Sequence, residues 1–80
     1  MTLYEVSEMM ANSGYPYAIA VDSILAEADI GFVYKEGDDE NPVAKLVPTP
    51  NDDITVKVGG KDDVTFADPT DVIMWIIQTL

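Results

Sequence analysis

Ile54, Val56 and Val58 alternate with Thr55 and Lys57, Gly59-Gly60 follows, and Val64 and Phe66 then flank Thr65. No other stretch restricts the fold so tightly. A period of two places apolar side chains on one face of an extended strand and polar ones on the other. A glycine pair between two such segments supplies the backbone freedom that a reversal needs. Residues 54–58 and 64–66 are therefore predicted to pair as an antiparallel hairpin with one face buried and one face wet.

The same period governs the chain after Gly31. Residues 32–35 and 43–47 also read as strands, bounded by turn-forming Gly, Pro, Asn and Asp, which makes four strands in succession. Before Gly31 the period is helical. Thr2 and Glu5 form a capping-box pair, and Leu3, Val6, Met9 and Met10 recur on one side while Glu5, Glu8 and Asn12 take the other. This helix is expected to run to about Asn12 and to stop at Ser13-Gly14. Pro16 suits the first turn of a second helix with Tyr17, Val21, Ile24, Leu25 and Ala28 inward. A strand over residues 15–21 is the rival reading, and the alanines favour helix. At the far end Asp68 is placed as an N-cap, Pro69 at the first helical position and Asp71 at the positive end of the helix dipole, so residues 69–80 are predicted helical.

The expected fold class is thus α+β, a single small domain over residues 1–80 in the order α-α-β-β-β-β-α. Its sheet is an antiparallel meander with the helices packed on one face, because consecutive strands joined by short loops usually pair. Eighty residues give one core near the lower limit for independent folding, and no repeat or long linker divides the chain.

Charge is the strongest functional clue. Fifteen Asp and Glu face four Lys, with no Arg, His or Cys, for a formal net charge of -11. Disorder usually pairs such charge with scarce apolar residues, whereas 48% of this chain is hydrophobic and periodic. Self-repulsion opposes compaction, so what this imbalance offers is solubility and attraction to basic surfaces, such as the grooves of nucleic-acid-binding proteins. In a meander, the loop with Glu36, Asp38, Asp39 and Glu40 shares one end of the sheet with Asp62 and Asp63, opposed only by Lys61. Asp52 and Asp53 lie at the other end with Asp68 and Asp71. These carboxylates are the candidate partner-binding residues, standing where phosphates would stand. The expected partner is a basic nucleic-acid-binding protein or complex. Direct binding of nucleic acid is not expected, since the lysines form no basic patch.

At the level of size and charge alone, the chain resembles virus-encoded inhibitors that imitate DNA, such as anti-restriction and anti-CRISPR proteins. The resemblance implies a non-enzymatic inhibitor and carries no site residues. Asp22-Ser23-Ile24-Leu25 is similar to the serine segment of acyl carrier proteins, yet those are helical bundles and two hairpins follow here, so the string lacks its context.

Catalysis has little to work with. There is no His or Cys to act as base or nucleophile, and Ser7, Ser13 and Ser23 lie in no nucleophile elbow. Residues 36–41 are rich in oxygen donors but lack the spacing of a calcium loop, and no metal or other cofactor is expected. The longest apolar run, residues 72–77, is far short of the ~18 residues of a membrane span, and the absence of Cys fits a reducing compartment, so a cytoplasmic protein without a membrane partner is expected. On a helical wheel Val72, Ile73, Ile76, Ile77 and Leu80 form the inner arc, while Met74 and Trp75 fall outside it. They either pack the edges of the core or form an apolar interface, in which case the chain is a homodimer or an oligomeric structural or adaptor subunit whose acidity serves solubility.

Overall fold

A computed structural model describes residues 1–22 and 29–80 of the chain. The order is α1 (Leu3–Ser13), β1 (Tyr17–Asp22), β2 (Ile30–Lys35), β3 (Ala44–Pro48), β4 (Ile54–Lys57), β5 (Val64–Phe66) and α2 (Pro69–Thr79). The strands form one antiparallel sheet in the spatial order β1-β2-β3-β4-β5. The α+β meander is therefore present, and the described residues hold five strands and two helices where four strands and three helices were expected.

The difference lies in the segment after Pro16. Tyr17–Asp22 is a strand paired with β2 from Tyr17↔Lys35 to Asp22↔Ile30, so the second helix expected from Pro16 onward does not form there. Its remaining inner positions, Ile24, Leu25 and Ala28, lie outside the described residues. Tyr17 and Val21 are four apart, a spacing that suits both a helix face and one side of a strand. Ile19 between them decides: Tyr17, Ile19 and Val21 are buried or half-buried while Ala18 and Ala20 are exposed. Burial and pairing with a neighbouring strand outweigh alanine's helix preference.

One cluster forms the core. Leu3, Val6 and Met10 of α1 and Val72, Ile73 and Ile76 of α2 pack with Ile19, Val33, Ala44, Leu46, Ile54 and Val56, all of which point to one side of the sheet in the observed register. Both helices thus cover that face, and on the other Ala20, Lys45 and Lys57 are exposed. Met9, expected inward, is exposed, because the arc centred on Val6 and Met10 turns it away. Gly31 lets α1 approach: a Cβ there would lie 3.2 Å from both Leu3 Cδ2 and Leu46 Cβ.

The caps read from sequence are in place. Glu5 N–H donates to Thr2 Oγ1 at 3.2 Å, and Thr70 N–H donates to Asp68 Oδ1 at 2.8 Å. Trp75 is half-buried and its ring meets Phe66 of β5, centroids 6.4 Å apart and tilted by 54°. Met74 stays 40% exposed. Among the described residues no helix is long and apolar enough to cross a membrane.

Candidate functional site

A meander sorts its loops to two ends. β1 begins, β2 ends, β3 begins and β4 ends at one end of the sheet, which therefore holds the α1–β1 connection, the β2–β3 loop and the β4–β5 loop. The opposite end holds the end of β1, the start of β2, the β3–β4 loop and the entry to α2. Glu36, Asp38, Asp39, Glu40, Asp62 and Asp63 accordingly share the first end, and Asp52, Asp53, Asp68 and Asp71 the second. Because residues 17–22 form a strand, Asp22 and Asp29 join the second end as well. The reading of residues 17–28 as a helix left both aspartates out of that pole.

Lysine separates the two ends. Lys35 closes β2, Lys57 closes β4 and Lys61 lies in the β4–β5 loop, all at the first end, and Lys45, the second residue of β3, stands level with Lys57. No lysine lies at the second end, which is called the acid end below. It runs across five strands, about 19 Å at a spacing of ~4.8 Å per strand. The chain holds its carboxylates apart: among the described residues, no three acidic side chains gather closely enough to hold a metal ion. Such spreading suits an extended basic surface better than a point ligand.

At the first end several acids are already engaged. Asp38 Oδ1 accepts from the N–H groups of Glu40 and Asn41, both at 3.3 Å, an arrangement that shapes the loop. Asp63 Oδ2 lies 2.6 Å from Lys57 Nζ, so Lys61 does not oppose the rim alone, as expected from sequence. Lys57 in turn lies directly opposite Lys45 in the ladder, and Lys45 opposite Phe32. Ala20, Phe32, Lys45 and Lys57 thus form one cross-strand row on the face away from the helices, terminated by Asp63. Among the described residues, no hydrogen bond or ion pair engages the carboxylates of Glu36, Asp39, Glu40 or Asp62.

The acid end is engaged differently. Asp68 caps α2, and Asp53 is half-buried in a turn in which Thr49 N–H donates to Asp53 O at 2.9 Å and Asp53 N–H donates to Thr49 Oγ1 at 3.2 Å. Asp52 is exposed at φ 65, a left-handed conformation that aspartate tolerates better than most residues. Asp22, Asp52 and Asp71 present their side chains to solvent.

The first end also has a groove of about 400 Å³ lined by Gly14, Tyr15, Tyr17, Ala18, Lys35, Glu36, Gly37 and Asp39. Sequence reading missed its aromatic wall, because Tyr17 was placed on the inner face of a helix starting at Pro16 and Tyr15 was given no site role. The available signal was a tyrosine pair spaced by two, next to a glycine stop. Compared with known proteins, the chain matches no protein-family model, no curated protein and no solved structure.

Proposed function

We propose that the protein is a non-enzymatic acidic binding protein that occupies a basic, nucleic-acid-binding surface of a partner by imitating the charge of nucleic acid. The observation that carries this reading is the acid end: Asp22, Asp52, Asp53, Asp68 and Asp71 edge one side of a small body where no lysine offsets them. A partner groove that accommodates phosphates by releasing their counterions gains in the same way from such a row. An inhibitor of the virus-encoded anti-CRISPR or anti-restriction kind is the biological setting that size and charge suggest. The half-buried position of Trp75 against Phe66 also supports the reading, since the ring is occupied by its own domain.

The test is unbiased capture of partners from cell lysate, followed by competition with DNA or RNA over a salt series. Release of the captured protein by nucleic acid, and steep weakening with salt, are expected. A captured partner indifferent to both sinks the proposal. Met9 and Met74, exposed on the helix layer, favour the second reading, an oligomeric structural or adaptor subunit. Concentration-dependent sedimentation of the purified chain that Met74→Gln abolishes would establish it instead.

A further inference from the structure

The groove at the lysine-bearing end has a composition that plain charge imitation does not require. Tyr15 is 44% exposed, Tyr17 lines the same groove, and the carboxylates of Glu36 and Asp39 belong to the facing loop. The two walls are tied together: Glu36 N–H donates to Pro16 O at 3.0 Å, directly between the tyrosines in sequence. Each wall is also fixed internally. Tyr15 N–H donates to Ser13 Oγ at 3.2 Å and Tyr17 N–H to Tyr15 O at 2.8 Å, while Asp38 N–H donates to Lys35 O at 3.0 Å across a turn whose Gly37 has φ 92. The groove is therefore formed before any partner arrives, which lowers the ordering cost of binding.

An aromatic face beside two carboxylates is the environment a guanidinium prefers. Arginine stacks flat on an aromatic ring while its fork donates to carboxylate oxygens, whereas an ammonium group is more strongly hydrated and donates as a point charge. From this groove we infer an arginine slot: one arginine side chain of the partner inserts between Tyr15 and the Glu36/Asp39 carboxylates and fixes how the acidic protein sits on the basic surface. The inference rests on the proposed function and specifies its partner, a surface bearing a protruding arginine. Lys35 also lines the groove. Two carboxylates against one ammonium leave the slot negative, and Lys35 sets an upper limit to its affinity.

The test uses oligo-arginine and oligo-lysine peptides of equal length, titrated into the whole protein at low salt and followed by backbone amide shifts. The arginine peptide is expected to bind more tightly, with the largest shifts at Tyr15, Gly37 and Asp39. Tyr15→Leu, an exposed substitution that keeps an apolar side chain, weakens the arginine peptide by about two- to five-fold and leaves the lysine peptide unchanged. Tyr15→Phe retains the preference, because the ring face is kept, and Lys35→Gln strengthens it. Equal affinity for both peptides, or shifts confined to the acid end, overturns the slot and leaves charge imitation standing. Failure of both peptides to bind overturns charge imitation together with the slot.

Discussion

The two ends of the sheet are built from the same residue types and behave as different surfaces. At the lysine-bearing end, Asp38 shapes a loop, Asp63 pairs with Lys57, and Glu36 and Asp39 share a groove with Lys35 and two tyrosines. At the acid end, Asp68 caps a helix, and Asp22, Asp52 and Asp71 are exposed with no lysine at that end. Net charge alone does not distinguish them. A field depends on which opposite charges lie within a Debye length, about 8 Å at physiological salt, so the end without lysine projects further although the other end is just as rich in acids. The acid end is suited to attraction and the lysine-bearing end to orientation.

The largest expected effect tests whether the acid end is rigid. Ile54 is fully buried, follows Asp52 and Asp53 directly, and pairs across the ladder with Pro48 and Phe66. Ile54→Ala should cost about 2 to 5 kcal/mol, a large share of the roughly 4 to 12 kcal/mol available to an 80-residue domain. Urea unfolding measures it. A loss below about 1 kcal/mol would mean that the row of aspartates is not anchored by the core, and the contrast with the preformed groove would reverse.

Legibility in the sequence follows the same division. The hairpin of β4 and β5 was readable because Ile54, Val56, Val64 and Phe66 alternate without ambiguity and a glycine turn joins them; Gly60 takes φ 80 and Lys61 N–H closes the turn on Val58 O. The start of α2 was equally plain, since Asp68 and Pro69 each have one favoured place at a helix entry. β1 was not, because two of its three outward residues are alanines and its inner pair Tyr17 and Val21 satisfies either period. That single misassignment hid Asp22 and Asp29 from the acid end and Tyr17 from the groove. The Lys57–Asp63 pair was hidden for another reason: it depends on the ladder register, which places Val56 opposite Val64 and which no local pattern specifies.

Next in size is the cap. Asp68→Ala removes the acceptor for Thr70 N–H and should cost about 1 kcal/mol, read as a lower thermal midpoint. Asp68→Ser keeps an acceptor while shedding a charge, so it should match or slightly exceed the wild type if repulsion at the acid end is real. A serine variant as unstable as the alanine variant would show that the charge itself, acting on the helix dipole, matters more than its neighbours.

A smaller effect compares the two ends directly. Asp22→Asn and Asp52→Asn together should raise stability at low salt by about 0.3 kcal/mol or more, and added salt should erase the gain, because like charges without lysine repel over a distance that ions screen. Glu36→Gln, Asp39→Asn and Asp62→Asn together should gain less, since Lys35 and Lys61 already offset them. Equal gains in thermal denaturation at low salt would abolish the distinction between the ends.

The smallest effect separates two neighbours in one turn. Asp62 is exposed and unengaged among the described residues, whereas Asp63 holds Lys57 at 2.6 Å, with the two side chains 50% and 47% exposed. An ion pair this open contributes little by itself, about 0.2 to 1 kcal/mol. Lys57, however, faces Lys45 directly across the ladder, and like charges at that spacing destabilise a sheet. Asp63→Asn should therefore lower stability by a few tenths of a kcal/mol to about 1 kcal/mol, while Asp62→Asn should leave it unchanged or raise it. The sharper form adds Lys45→Gln. With that lysine gone, Asp63→Asn should cost less, and the coupling between the two substitutions measures how much of Asp63's contribution is relief of the lysine pair. Identical responses to Asp62→Asn and Asp63→Asn would mean that solvent screens both alike and that the acids at this end differ only in position.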